Sequence, residues 1–232
     1  MKPPKKRRWR SILGTAALLL GLLAILSILG AYFASRQVPT FYAEALAAES
    51  PAQAEAGDEL ERRALQLRNE VQRAGQWEAT FTQEQVNGWL AVDLIEKFPQ
   101  LLPEEVQSPR VAISKEEVQL AFRYHSAEID TVVSLAASVA LTDEPNVIAV
   151  RIRRARAGAL PIPLTQFLDQ VADAVQGTDL EIRWSQVDGD PVALIRLPRE
   201  HTNLPDRELR LDRIQLRDGA AELGGRTERR GP

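Results

Sequence analysis

The sequence predicts an α+β fold: amphipathic helices packed on a long, curved antiparallel sheet, carried on one N-terminal transmembrane helix. Three observations predict it. Ile12–Phe33 is an uncharged apolar run whose only strongly polar side chains are Thr15 and Ser27. Beyond it, apolar residues recur with a period near 3.6 up to about Phe98, and after Pro109 the period becomes 2. Those two periods belong to one-sided helices and to half-buried strands.

At about 1.5 Å of rise per residue, the apolar run reaches ~33 Å as a helix, enough for a hydrocarbon core of ~30 Å. Lys2, Lys5, Lys6, Arg7, Arg8 and Arg10 precede it, and Arg36 alone is basic in the stretch just after it. The positive-inside rule then places the N-terminus in the cytoplasm and the remainder outside the cell membrane. Signal-peptide cores are ~7–15 apolar residues with a small-residue cleavage site close behind. Here the run is longer and Ala45-Leu46-Ala47 lies well beyond it, so an uncleaved single-pass signal-anchor is expected. The expected partition is a basic cytoplasmic segment (1–11), a transmembrane helix (12–34), a stalk (35–57), an extracytoplasmic domain (58–223) and a disordered tail (224–232).

The net charge is −3, and six positive charges lie in the first ten residues, which leaves −9 for the rest. That acidic balance argues against nucleic acid as a partner. Cysteine is absent, so no disulfide and no thiol chemistry is available. Roughly 190 residues beyond the apolar run suffice for one domain with its own core.

Residues 36–57, rich in alanine and interrupted by Pro39 and Pro51, read as the stalk. From Asp58 a helix is expected, with Leu60, Ala64, Leu67 and Val71 on one face and Gly75 as its stop. A short extended piece, Trp77–Phe81, leads to FTQEQVNGWL. There Thr82 is a good N-cap and Gln85 completes a capping box. Val86, Leu90, Leu94 and Phe98 follow at helical spacing until Pro99. Asn87 and Gly88 are poor helix formers. Gly88 is expected to admit a close neighbour, and Asn87 to bond a nearby backbone.

In VQLAFRYHS, Val118, Leu120, Phe122 and Tyr124 share a face. The next strand, IDTVVSLAASVALTD, is bulky on one side (Val133, Leu135, Val139, Leu141) and small on the other (Ser134, Ala136, Ser138, Ala140). Asp143–Asn146 turns the chain into VIAVRIRRARAGAL, which completes an antiparallel meander. A second amphipathic helix is expected from Leu164 to Val175. Two more strands flank the Asp188-Gly189 turn, and RELRLDRIQLRDG contributes strand whose apolar phase slips between Leu211 and Ile214, the mark of a bulge.

No metal-ligand cluster, nucleophile elbow or phosphate-cradling glycine loop stands out; His125 and His201 have no partners at ligand spacing. A non-enzymatic protein without cofactor or metal is expected. Asp93 with Lys97 reads as a helix ion pair. Arg151, Arg153, Arg154 and Arg156 form the densest basic cluster outside the N-terminus. Strand alternation puts Arg151 and Arg153 on one face and Arg154 and Arg156 on the other. They are candidates for anionic-headgroup contacts, guanidinium matching phosphate geometry, or else simply a charged, soluble strand.

The anchor, the FTQEQVNGWL helix start, the long strands and the Gly158-Ala159-Leu160-Pro161-Ile162-Pro163 stretch resemble the YpmS-like family of single-pass envelope proteins, over about residues 75–197. A more distant likeness is to tubular lipid-binding domains. The resemblance implies a lipid-handling or envelope-assembly role and supplies no catalytic residue. A lipid groove lined by Val86, Leu90, Leu94, Val133, Leu135 and Phe167 is the leading expectation. A scaffold that docks an envelope protein or a second copy is the alternative.

Overall fold

A computed structural model describes residues 23, 25–27, 29–30, 32–48, 50–162, 181–197 and 207–229. The molecule is α+β, with antiparallel sheets and a few helices. Among the described residues are the helices α1 (Thr40–Leu46), α2 (Ser50–Val71), α3 (Gln83–Ala91) and α4 (Asp93–Lys97), with a 3-10 turn at Pro99–Leu101. The strands are β1 (Gly75–Thr82), β2 (Val106–Ile113), β3 (Val118–His125), β4 (Asp130–Leu141), β5 (Val147–Ala157), β6 (Leu160–Pro161), β7 (Glu181–Val187), β8 (Asp190–Arg196), β9 (Arg207–Arg217) and β10 (Ala220–Arg229).

The larger sheet runs β2-β3-β4-β5-β8-β7, with β6 added beside β5; the smaller runs β1-β10-β9. The β3–β4 pair of the expected meander follows the sequence pattern closely. Val118, Leu120 and Phe122 pair with Ala137, Leu135 and Val133 on the bulky face. Gln119 and Ala121 pair with Ala136 and Ser134 on the small face. The β7–β8 hairpin turns at Asp188 and Gly189, both at positive φ, 53° and 86°, as a two-residue turn that matches strand twist demands. The phase slip in β9 is real: Arg213 pairs with Gly224 and Leu211 with Gly225, leaving Asp212 over.

Four expectations need correction. The stalk is folded. Pro51 stands in the first turn of α2, where a missing N–H costs nothing, and the alanines around it are the best helix formers. The helix expected from Asp58 therefore begins at Ser50, and Gly75 opens β1 at φ 138°. The single helix expected up to Pro99 is two, α3 and α4, broken at Val92 (φ −118°, ψ −67°). The tail expected to be disordered from Gly224 belongs to β10, the central strand of the small sheet. Its glycines have work there: a Cβ on Gly225 would fall 2.3 Å from the ring of buried Trp77.

The helix α3 lies beside the β2 edge. Asn87 donates its side-chain N–H to Val111 O (2.9 Å) and accepts from Val111 N (2.7 Å), as a neighbouring strand would. Gly88 lies against α2; a Cβ there would meet Gln53 O at 2.3 Å and Gly57 N at 2.6 Å. A second asparagine, Asn146 in the β4–β5 turn, joins the two sheets. Its amide donates to Leu209 O (2.6 Å) and accepts from Leu211 N (2.8 Å) of β9. The β9–β10 turn closes the arrangement, with Gly219 N donating to Ile113 O and Gln83 N to Gly219 O, both 2.8 Å.

Candidate functional site

Residues Arg36–Leu46 form a strap across the small-residue face of the larger sheet. Its near end is fixed by backbone. Ala159 N donates to Ala34 O (2.8 Å), and Thr131 Oγ1 donates to Ser35 O (2.6 Å). Gly158, at φ 59°, makes the approach possible; a Cβ there would sit 2.4 Å from both Ala34 O and Ser35 O. The far end is fixed by Tyr42, which is 2% exposed and donates its hydroxyl to Ser108 O (3.0 Å). Burial raises the Tyr42 pKa, against a smaller opposing effect of the Arg110 charge. Arg110 itself is buried beneath the strap and bonds carbonyls: Pro109 O at 2.8 Å and Ala45 O, at the C-terminal turn of α1, at 3.5 Å. Desolvation lowers its pKa, and the carbonyl end of a helix is a favourable place for the cation.

Two pockets flank the strap, both bordered by Val38. One, of about 250 Å³, lies between Gln37, Pro39 and Phe41 of the strap and Gln119, Ser134, Leu135, Arg154 and Arg156 of the sheet. The other, of about 380 Å³, is bordered by Arg36, Tyr42, Ser108, Arg123 and Asp130. In the second, Arg123 grips Asp130 through two bonds of 2.9 and 2.7 Å, and this partner holds the Asp130 carboxyl below its ordinary pKa.

The arginines do not alternate as the sequence suggested. Arg156, Arg154 and Arg151 pair opposite Ser134, Ala136 and Ser138, three residues of one face, because the register shifts and leaves Arg153 over. A bulge inverts phase, and small partners leave room for guanidinium groups. Environment then separates them. Arg151 is held by Asp190 (2.7 Å) and Asp188 (3.2 Å) of the β7–β8 hairpin. Arg153 reaches Ser138 Oγ at 3.4 Å. Arg154 and Arg156 border the strap pocket, with Glu117 2.6 Å from Arg154.

The expected lipid groove is distributed over separate places. Val86 and Leu90 are on α3 and Leu94 on α4, elements whose main neighbours are α2, β1, β2 and each other. Val133 and Leu135 are on β4, which packs against β3, β5 and β9. Phe167 and the expected second helix lie outside the described residues, as does His201. Thr82 and Gln85 form the capping box: Gln85 N donates to Thr82 Oγ1 (3.2 Å) and Thr82 N to Gln85 Oε1 (2.9 Å). Among the described residues one acidic group, Asp58, Glu61 and Asp93, converges within 4.8 Å. The Lys97 ammonium lies 2.6 Å from both Asp93 and Glu61, so the chain supplies its own cation there.

Sequence reasoning missed the strap because its anchors are backbone carbonyls, Tyr42 and buried Arg110, none of which a period reveals. The one signal was Gly158, an isolated glycine at the end of a strand. Among the described residues no helix is long and apolar enough to cross a membrane, and most of Ile12–Phe33 lies outside them. No family model, no curated protein and no solved structure matches this chain.

Proposed function

We propose that the chain is a non-enzymatic, membrane-anchored extracytoplasmic module that binds a lipid or lipid-like envelope component. The observation that carries this reading is the strap pocket, which lies directly beyond the apolar run and combines apolar with cationic walls. An amphiphile matches such a lining. Its polar end meets Gln119, Ser134, Arg154 and Arg156, and its apolar shoulder meets Val38, Phe41 and Leu135. About 250 Å³ is headgroup-sized, so the acyl chains stay in the bilayer that Ile12–Phe33 enters.

Native mass spectrometry of the full chain, released from membranes in mild detergent, tests it. A lipid bound one to one is expected on the wild type and absent from Ser134→Trp, whose indole fills the pocket. A chain that carries no lipid in either form sinks the proposal. One observation favours a scaffold instead: Ile95, Phe98 and Leu101 are 48%, 38% and 62% exposed within a single stretch. A lipid-free protein that self-associates through that stretch would favour it.

A further inference from the structure

We infer that the strap pocket recognises a phosphate group, and that Glu117 is a carboxylate placeholder which the phosphate displaces. The inference rests on the lipid-binding reading and specifies the chemistry of the headgroup. Arg154 and Arg156 stand two residues apart on one face of β5 and border the same pocket. Paired guanidinium groups suit a tetrahedral oxyanion, which accepts several parallel N–H bonds. Gln119 and Ser134 add neutral polar groups on the floor, and the side chains of Ser134 and Gln119 share that face with the arginines.

Glu117 makes the pocket more than a basic patch. Its carboxylate accepts from Arg154 Nη2 at 2.6 Å and from Gln119 Nε2 at 2.8 Å, and its side chain is only 19% exposed. Both donors it holds belong to pocket-lining residues. Glu117 thus occupies, as the less exposed partner, donors that face the pocket, and it is an anion of one charge where a phosphate monoester brings nearly two. A phosphate entering beside Arg156 competes for Arg154 and Gln119 and releases Glu117 toward solvent. The neighbouring Arg151 is excluded from this role by Asp188 and Asp190, which face it across the hairpin.

The test uses the full chain in a non-ionic detergent, titrated by calorimetry with dioctanoyl phosphatidic acid, dioctanoylglycerol and inorganic phosphate in turn. Saturable binding of the phosphatidic acid, with none of the phosphate-free diglyceride, is expected. Arg154→Gln with Arg156→Gln weakens it at least about tenfold, the scale of losing charge-assisted contacts. Glu117→Gln strengthens it by roughly three- to tenfold, since the competitor is gone. A Glu117→Gln protein that binds as the wild type does overturns the placeholder. Diglyceride binding as tight as phosphatidic acid overturns phosphate recognition and leaves the lipid reading standing. Inorganic phosphate binding without any lipid binding overturns the lipid source. Circular dichroism of each variant, expected to match the wild type, separates these results from misfolding.

Discussion

Asn87 and Asn146 do the same chemical task in opposite settings. Each presents a primary amide to a strand edge, donating to one backbone carbonyl and accepting from one backbone N–H. Asn87 does so from within a helix and fixes α3 to β2. Asn146 does so from a turn, at φ 62°, and fixes the small sheet to the large one. Both are almost fully buried. The difference lies in what each pays locally: Asn87 is a weak helix former among good ones, whereas Asn146 occupies a left-handed conformation in which asparagine is comparatively at ease.

The largest expected effect comes from breaking both pairings. Replacing either residue by alanine leaves a buried donor and a buried acceptor without partners, at about 2–4 kcal/mol in total. The two losses should differ. At position 87 alanine gains roughly 0.5 kcal/mol of helix propensity, while at 146 it adds about 1 kcal/mol of left-handed strain. Asn146→Ala should therefore be the less stable in urea unfolding, and Asn146→Gly should recover the strain without the bonds. Equal stability of Asn146→Ala and Asn87→Ala would show that local conformation does not matter at these sites.

Next in size are the glycines that let these joints close. Gly88→Ala and Gly225→Ala should each cost about 1–3 kcal/mol by overpacking, Gly88 against α2 and Gly225 against Trp77. Thermal melting followed by tryptophan fluorescence measures both, and a wild-type midpoint for Gly225→Ala would contradict the Trp77 contact.

Asn87→Asp sharpens the comparison through pH. A carboxyl facing Val111 O is useful only while protonated, so its folded pKa is raised above the ordinary value of about 3.9. Stability of the variant should be near normal below that value and fall as pH rises through the raised pKa. A stability gap from wild type that does not change with pH would count against the assigned amide orientation.

The smallest effect should come from exposed pairs. Arg123 lowers the pKa of Asp130, Arg196 with Arg183 that of Glu144, and Lys115 that of Asp218. Their ordinary values are 3.8, 4.5 and 3.8, so what stability they add is present above those values and fades as pH falls through the depressed ones. Salt should shrink the effect, because these groups face water.

The two asparagines also mark what the sequence could tell. Asn87 was legible because it offends its surroundings: a poor helix former beside Gly88, after a strong capping box, needs a reason to be there. Asn146 follows Asp143-Glu144-Pro145 and fits a turn so well that nothing hinted at a second task. The two faces of β4 were legible for the same physical reason, since alternation fixes which side chains share a side. It failed in β5, where one bulge at Arg153 moved Arg151 to the face of Arg154. The strap was hidden because its carbonyl anchors at Ala34, Ser35 and Ala45 carry no sequence identity. The Gly224-Gly225 pair suggested a disordered tail, whereas Gly225 makes room for the indole of Trp77.

The small sheet has a consequence in time. Strand β1 (Gly75–Thr82) is made well before β10 (Ala220–Arg229), its one ladder partner among the described residues. Until that partner emerges, Trp77 and Ala79 have no cover from it, and the edge of β1 is open to any passing strand. Loop closure over so long a separation is slow, and contacts that wait for it do not guide the earlier steps of folding. The nascent domain therefore passes through a vulnerable interval that ends when Gly225 slides over Trp77, and a chaperone or a nearby surface has until then to shield the indole.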